Sequence, residues 1–599
     1  MGPIYETLAR KNLLYLITKE FASQDLHPDV VDNHDMGLVY EYLIRKFKEG
    51  AAAGEQYTPR DVVKLLVQLV LSDREEALRA SPGALVAIYD PACGTGGMVT
   101  VSKEFLTKEW NLDPSNVFLY GQELREKTYA ICKADALMKG DDASRIKQGN
   151  TLSEDKLIGQ QFTFMMANPE FGTDWKKIED TIRKEAALGI SGRFGAGLPD
   201  VGDASFLFLQ HMISKMTPPE KGGSVIGIVF SGSPLFNGEP GSGWSNIRKW
   251  IITEDLLDAI VALPEDMFYN TNIATYLWIV RNNKPRNRKQ KILLINGNQE
   301  RFRTLLRRNI GKKRVELTAA TIQELVNVFR NGKPVEKLAR VFDLEDFGYT
   351  RVIVERPLRL KSKFTEEGVE SLRYLASASE YMRSIYEVHG DKVYSSDPSF
   401  WQGIYLQLSV LPEAERPNNR DVASICSPKK WKQRLLLVEA ARELARHFEA
   451  QEFTNYSKFE EKVQEVADTH GIVAAEKGRT LTKGQRTLIC RAMSWRDEVA
   501  DPIIAEMDPN GQPIYEPDSE LRGEERIPLK TDIEEYFRKD VLPYIHDAWM
   551  DRSKDTLGYE ISFAKYFYEY KPPRDLKDIL KELEILDTEA ATIQAELSR

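Results

Sequence analysis

The sequence predicts a doubly wound α/β fold flanked by mainly helical regions. An apolar run over 84–89 is typical of a buried parallel strand, and a helical pattern follows it from Met98. A second predicted strand, Val117–Tyr120, and a third, 162–167, continue the alternation of strands and helices as far as Val280. This alternation predicts a mainly parallel sheet with helices on both faces.

Composition indicates the number of domains and the cellular compartment of the chain. With 599 residues, of which 42% are hydrophobic and 29% charged, it is too long for one core. We predict a helical region 1–80, an α/β domain 81–345 and a mainly helical region 346–599. No apolar run approaches the roughly 20 residues that cross a bilayer, and the N-terminus does not have the pattern of a signal peptide. Four scattered cysteines suggest neither disulfides nor a zinc site, so we expect a cytoplasmic protein without a metal.

The turn after the first strand, Asp90–Met98, reads D-P-A-C-G-T-G-G-M. Glycines here let the backbone pass close to a ligand, and the following helix offers free N–H groups. A tight strand-to-helix turn without a ligand is the alternative interpretation. Glu123 follows the second strand, where a doubly wound sheet presents a ribose-binding carboxylate, and this favours a ligand that contains a nucleoside.

The spacing resembles that of class I S-adenosylmethionine (SAM) methyltransferases, and D-P-A-C-G-T-G-G is characteristic of amino-group DNA methyltransferases. The resemblance implies a Rossmann-like methyltransferase fold with SAM as cofactor. It extends to Tyr57-Thr58-Pro59-Arg60, although Thr58 could simply cap the helix that follows, with Pro59 at its first position. It also covers Gly149-Asn150-Thr151, where relatives usually carry Asp in place of Asn150. The implied cofactor-binding residues are Tyr57, Thr58, Asp90, Ala92, Gly94, Thr95, Gly96, Glu123 and Asn150.

The third strand leads into Asn168-Pro169-Glu170-Phe171, which resembles the (Asn/Asp/Ser)-Pro-Pro-(Tyr/Phe) motif of amino methyltransferases. The resemblance implies three catalytic residues. Asn168 and the carbonyl of Pro169 accept the two N–H bonds of an exocyclic amine, and Phe171 stacks on the flipped base. Glu170 replaces the second proline of the family, so the backbone loses a fixed φ.

From Ser205 onward the chain resembles one family, the modification (M) subunits of type I restriction–modification systems, which methylate adenine N6. The matching segments include S-P-L-F at 233–236, N-I-R-K at 246–249 and A-L-P-E-D-M-F-Y at 262–269. Because the family carries further N-terminal helices, we expect an N-terminally shortened member. The implied partners are DNA and a specificity subunit, with a second copy of this chain and a restriction subunit as further candidates.

Two other functions stay open at this point. Glu170 favours a catalytically weak or silent scaffold or DNA-binding subunit of a defence complex. A protein-glutamine methyltransferase shares related motifs, but the long region after residue 345 argues against it. His211, beside apolar helix neighbours, is interpreted as a packing residue and receives no catalytic role.

Three further stretches carry predictions. Residues 281–314 contain thirteen Lys or Arg and one acid in a chain of net charge −9, which favours DNA contact over a solvated loop. Residues 501–525, rich in Pro, Gly and acids, predict an exposed linker. Near the C-terminus, apolar residues at heptad spacing predict a helix that docks on a partner, by resemblance the specificity subunit. These residues are Leu576, Ile579, Leu583, Leu586, Ala590, Ile593 and Leu597.

Overall fold

The computed structural model describes residues 2–25, 30, 58–81, 83–269, 271–375, 379–412, 415–448, 451–474, 480–568 and 575–597. They form two compact units. The first contains Met1–Arg351, Ile527–Thr531 and Thr556–Arg599, and the second contains Val352–Arg526 and Asp532–Asp555. These units differ from the predicted division at residues 80 and 345, because residues beyond 345 return to the first unit. Within the helical region predicted over 1–80, residues 26–29 and 31–57 lie outside the described residues.

The secondary structure is numbered here in chain order. The helices up to residue 331 are α1 (Gly2–Arg10), α2 (Leu14–Ala22), α3 (Arg60–Leu71), α4 (Glu75–Arg79), α5 (Gly97–Lys108), α6 (Glu126–Met138), α7 (Glu179–Ala186), α8 (Ser205–Ser214), α9 (Ser233–Phe236), α10 (Gly243–Thr253) and α11 (Ala319–Asn331). The later helices are α12 (Glu366–Ser371), α13 (Ser379–His389), α14 (Pro398–Ser409), α15 (Asn419–Ile425), α16 (Pro428–Ala445), α17 (Tyr456–His470), α18 (Lys483–Ala492), α19 (Ile533–Tyr536), α20 (Phe563–Phe567) and α21 (Leu576–Leu597).

The strands up to residue 343 are β1 (Val86–Asp90), β2 (Val117–Glu123), β3 (Ile146–Gln148), β4 (Phe164–Ala167), β5 (Val225–Phe230), β6 (Leu257–Ala262), β7 (Tyr276–Arg281), β8 (Lys291–Asn296), β9 (Thr304–Ile310), β10 (Lys313–Glu316) and β11 (Ala339–Asp343). The later strands are β12 (Gly348–Glu355), β13 (Leu360–Ser362), β14 (Ser494–Arg496), β15 (Ile504–Met507), β16 (Pro513–Tyr515), β17 (Gly523–Pro528), β18 (Trp549–Met550) and β19 (Thr556–Tyr559).

A nine-stranded sheet in the order β11-β8-β6-β7-β5-β4-β1-β2-β3 forms the centre of the first unit. Strand β7 runs antiparallel to β5 and β6, and β11 runs antiparallel to β8. The other neighbouring pairs are parallel. The carboxyl ends of β1, β2, β4, β5 and β6 therefore lie at one edge of the sheet. The predicted α/β fold is confirmed.

Both faces of this sheet are covered, as β5 shows. Its residues Val225 and Val229 join the core that contains α3, α5 and α11. Residues Ile226, Ile228 and Phe230 point to the other face and join the core that contains α8 and α10. Every residue of β5 is buried, which explains its continuous apolar run.

The second unit is mainly helical, with a core supplied by α16, α17 and α18. Residues 501–525 are mostly exposed, as predicted, but the prediction of a linker is wrong because the stretch lies within the second unit. Strands β15 and β16 pair there as an antiparallel hairpin, and the Asp518 side chain is buried and accepts a hydrogen bond from Arg496 Nε at 2.8 Å. Turn-forming residues mark hairpins as well as linkers, and here Gly511 has a φ of 79° at the turn.

The predicted C-terminal helix is present as α21. Its heptad residues Leu576, Leu583, Leu586 and Ile593 are each more than half exposed, and Ile579 is 37% exposed. The side chain of Leu597 lies outside the described residues. An apolar stripe therefore faces solvent along this helix.

Across the described parts of the chain, no helix combines the length and the apolar character needed to cross a membrane.

Candidate active site

The glycine turn between β1 and α5 adopts the backbone geometry that its sequence predicts. Gly94 has a φ of 54° and Gly96 a φ of 86°, values that side chains other than glycine rarely adopt. A Cβ on Gly96 would lie 2.9 Å from Sγ of Cys132, whereas one on Gly94 would meet open space. Glycine at 96 thus permits close packing against α6, and glycine at 94 leaves the backbone open to a ligand.

Two carboxylates hold this turn. Asp90 is buried and accepts a hydrogen bond from the Ala92 N–H at 2.9 Å. Glu123 accepts from the Gly94 N–H through one oxygen and from the Arg125 N–H through the other, both at 2.9 Å. Burial raises the pKa of Asp90 to about 8, and the charge of Glu123 adds to this effect. In the free protein Asp90 is therefore mostly protonated at neutral pH.

Asn150 lies beside the turn but its side chain is already engaged. Its Oδ1 accepts a hydrogen bond from the Leu152 N–H at 3.0 Å, which stabilises the local loop. The hydroxyl of Thr151 donates to the Pro91 carbonyl at 2.6 Å and ties this loop to the glycine turn. The Ser153 N–H donates to the same oxygen at 3.4 Å, so both acceptor positions of this amide oxygen are occupied within the loop.

The Asn168-Pro169-Glu170-Phe171 motif begins directly after β4, at the edge where β1 and β2 end. Asn168 Nδ2 donates to the Thr58 hydroxyl at 2.9 Å. Its Oδ1 is buried and has no hydrogen-bond partner among the described residues. A buried acceptor without a partner is costly unless something binds there.

This contact also corrects the N-cap predicted at Thr58. The helix α3 begins at Arg60 after Pro59, with no side-chain cap. The Thr58 hydroxyl instead meets Asn168, a residue far away in sequence.

One cavity brings several of the predicted residues together. Its lining includes Thr58, Asp90, Ala92, Gly94, Thr95 and Asn168. Gly96, Glu123, Asn150 and Phe171 are not in this lining, although Glu123 contacts the Gly94 N–H. Tyr57 lies outside the described residues.

Glu170 forms an ion pair that the sequence reasoning missed. Arg125 Nη2 lies 2.6 Å from the Glu170 carboxylate, and the two side chains are 42% and 37% exposed. Arg125 follows the carboxyl end of β2 as Glu170 follows that of β4. The signal was present in the sequence, because residues after parallel strands meet at one edge.

Phe171 contacts a second aromatic ring across the edge of the sheet. Its centroid lies 6.4 Å from that of Phe268, with an interplanar angle of 66°. Phe268 belongs to the turn that follows β6. The motif is therefore flanked by Thr58 on one side and by the 266–269 turn on the other.

Comparison with known proteins decides the family. A sequence model described as N-6 DNA methylase matches residues 31–353, more than half of the chain. The chain belongs to the N-6 DNA methylase family. This match includes the glycine turn, the Asn168 motif and the whole nine-stranded sheet.

Individual relatives of the chain agree with the family assignment. It is 27% identical over 362 residues to the type I restriction enzyme MjaIX methylase subunit of Methanocaldococcus jannaschii, covering 58% of this chain and 60% of the relative. It is 32% identical over 270 residues to the HindI methylase subunit of Haemophilus influenzae, covering 44% and 54%. The chain thus spans little more than half the length of these relatives. The predicted resemblance to modification subunits is confirmed.

Among solved structures, the type I restriction-modification system methyltransferase subunit from Streptococcus thermophilus is 25% identical, with a TM-score of 0.45. This likeness covers 55% of the present chain and 64% of that subunit.

The basic stretch 281–314 is only partly exposed to solvent. Seven of its thirteen cations pair with acids of the first unit: Arg281 with Asp73 and Asp258, Lys284 with Asp255, Arg288 with Asp258, Lys291 with Asp343, Arg301 with Glu324, Arg303 with Asp266, and Lys313 with Asp61. Of these, Arg281, Lys284, Arg288 and Lys313 are buried. The predicted DNA contact is therefore wrong for these four buried cations, which sequence-distant acids neutralise, and it stays a prediction for the exposed ones.

His211 packs inside the first unit, as interpreted from the sequence. Burial lowers its pKa to about 3, so the imidazole is neutral. Arg193 Nη1 donates to Nδ1 of His211 at 3.0 Å, which leaves the Nε2 hydrogen to bond the Tyr89 hydroxyl at 3.0 Å. Both ring nitrogens are satisfied by protein groups.

Proposed function

We propose that this chain is the SAM-dependent methyltransferase subunit of a type I restriction–modification complex and transfers a methyl group to N6 of adenine in DNA. The observation that carries the proposal is the buried, unpartnered Oδ1 of Asn168. It stands at the carboxyl end of β4 and lines the same cavity as the glycine turn. The family and the named relatives support the same reaction class.

The residues of the turn fit SAM. The backbone at Gly94 is open, because even a Cβ there would meet no atom within 4 Å. Each oxygen of Glu123 accepts one backbone N–H and so retains capacity for a ribose hydroxyl. Asp90 supplies a buried carboxyl group that favours a cation once it is ionised. When bound, SAM supplies a methyl group on a positively charged sulfur.

The chain's own residues would prepare the acceptor amine. The lone pair of an adenine amino group is delocalised into the ring, which makes it a poor nucleophile. Asn168 Oδ1 would accept one of its N–H bonds and the Pro169 carbonyl the other, while Phe171 stacks on the flipped base. The Thr58 hydroxyl fixes the Asn168 amide by accepting from Nδ2. The surplus proton of the methylated amine leaves to solvent.

SAM binding tests the cofactor assignment. Titration calorimetry of the full chain should show that SAM affinity increases about tenfold for each unit of rise in pH up to pH 8 and stays constant above pH 8. The reason is that Asp90, with its pKa raised to about 8, must release a proton before its carboxylate can face a cation. The variant Glu123→Ala should bind SAM more weakly at every pH, because a ribose acceptor is lost.

The matched control is Asp90→Asn, which keeps the shape of the side chain but cannot ionise. Its SAM affinity should no longer change between pH 6 and pH 9. No heat with SAM at any pH, with Glu123→Ala indistinguishable from the parent, would overturn the cofactor assignment.

We also propose that the exposed stripe of α21 docks on helices of the specificity subunit. Among the described residues, six of its heptad side chains, Ala590 included, are exposed, and an apolar stripe at heptad spacing is the surface that helices pack together. Deleting residues 575–599 should leave a folded, SAM-binding chain that no longer co-purifies with the specificity subunit.

A finer test keeps the helix intact. The double variant Leu583→Asp with Leu586→Asp should also abolish co-purification, whereas Glu584→Ala with Asp587→Ala, on neighbouring exposed positions, should not. Unchanged co-purification of the deletion variant would place the docking surface elsewhere.

A further inference from the structure

The β9–β10 hairpin, residues 304–316 and called the basic hairpin below, carries four of the six remaining cations of the basic stretch. Arg307, Arg308, Lys312 and Arg314 are all exposed. No acid among the residues that the structure describes forms an ion pair with any of them. Glu316, at the far end of β10, is the one acid of this segment. The basic hairpin therefore presents concentrated positive charge in a chain whose net charge is −9.

Buried and exposed side chains alternate along β10, which explains why the positively charged face of the basic hairpin points to solvent. Lys313 and Val315 are buried, whereas Arg314 and Glu316 are exposed. Lys313 Nζ pairs with Asp61 at 2.9 Å, and the same carboxylate accepts from the Leu317 N–H at 2.9 Å. Asp61 lies in the first turn of α3, three residues after Thr58. One face of the basic hairpin is thus fixed to a helix that begins at the candidate active site.

The basic hairpin is also fixed to the turn that contacts Phe171. The N–H of Lys312 donates to the Tyr269 carbonyl at 2.8 Å, and the N–H of Arg314 donates to the Asp266 carbonyl at 2.8 Å. Phe268 lies between Asp266 and Tyr269 in the chain, and its ring contacts that of Phe171. The positive face is therefore held next to the end of the proposed base-binding motif.

We propose that the basic hairpin binds the phosphate backbone of duplex DNA beside the adenine that enters the active site. This inference rests on the proposed function and assigns its DNA contact to four side chains. Lys and Arg gain affinity for DNA by releasing the counterions condensed on its phosphates. Arg286 and Lys289 belong to the same basic stretch and are exposed, but they follow β7, which runs antiparallel. They lie at the opposite edge of the sheet.

The test compares two double variants that each remove two exposed charges from this stretch. Full-length chain, assembled with its specificity subunit, binds a fluorescein-labelled DNA duplex in anisotropy titrations over a series of salt concentrations. For Arg307→Ala with Arg308→Ala, the slope of log affinity against log salt should shrink by about 2, or about 0.9 per lost phosphate contact. For Arg286→Ala with Lys289→Ala, it should match the parent. Arg307→Lys with Arg308→Lys should keep the parental slope, because the charges remain.

Three further readouts separate this proposal from its alternatives. SAM titration should be unchanged in both double variants, because neither pair touches the glycine turn. A parental slope in the Arg307/Arg308 double variant, or an equal loss in the Arg286/Lys289 control, would overturn the hairpin assignment. Weakened binding to polyglutamate with unchanged binding to DNA would assign the hairpin to an acidic protein and overturn it too. The slope could be reduced in the Arg307/Arg308 double variant while the parent complex transfers no methyl group to DNA. That result would support DNA binding by the hairpin and overturn the proposed function instead.

Discussion

Replacing Asn168 with alanine should lower methyl transfer to DNA by about 100- to 1,000-fold, the range for losing one well-placed polar group in an active site. Asn168 Oδ1 is a buried acceptor without a protein partner, and the amide that carries it is oriented by Thr58. Alanine removes the acceptor and leaves the Thr58 hydroxyl without its donor. SAM affinity should stay within about twofold, because the glycine turn is untouched.

Single-turnover transfer from tritiated SAM, with the assembled complex in excess over unmodified DNA, measures this effect. Asn168→Asp should retain part of the rate, since it keeps an oxygen at the same position. Asn327→Ala, on the exposed face of α11, is the matched control and should behave as the parent. An Asn168→Ala variant that works at the parental rate would remove Asn168 from the mechanism.

Replacing Glu170 with proline should raise the single-turnover rate, by up to about 100-fold. Proline fixes φ near −65° and would restrain the backbone that carries the Pro169 carbonyl. The Arg125–Glu170 ion pair is a weaker restraint, because both side chains are more than a third exposed and such pairs contribute only about 0–1 kcal/mol. A faster Glu170→Pro variant would show that Glu170 alone is the cause of slow methyl transfer by the parent chain.

Two variants control for the charge. Glu170→Gln breaks the ion pair without adding a ring, so it should leave the rate within a few fold of the parent. Asn168→Ala in the Glu170→Pro background should remove the whole gain. If the parent already turns over as fast as Glu170→Pro, the substitution at 170 is a tolerated one.

Features encoded in short stretches of sequence could be predicted. The β1 strand, the turn that needs Gly94 and Gly96, and the helix α21 each follow from local patterns of apolar residues and glycines. The order of the sheet and its antiparallel β7 do not follow from such patterns, because pairing joins segments that are distant in the chain.

Contacts between residues that are distant in the chain explain which features of the site could not be predicted from the sequence. Thr58 looked like a helix cap, but its hydroxyl meets Asn168 on another element. The basic stretch looked uniform, yet Asp73, Asp258 and Asp61 neutralise part of it from elsewhere in the first unit. Glu170 looked like a lone anomaly, and Arg125 turned out to face it. In each case the deciding group lies far away in sequence.

The central claim is methyl transfer to adenine N6 through Asn168. The most direct measurement incubates the complex with unmodified DNA and SAM that carries a deuterated methyl group, digests the DNA to nucleosides, and identifies the product by mass spectrometry. We expect deuterated N6-methyl-2′-deoxyadenosine as the labelled nucleoside, and its loss in Asn168→Ala. Label on cytosine, label on protein, or equal label in the parent and the Asn168→Ala variant would contradict it.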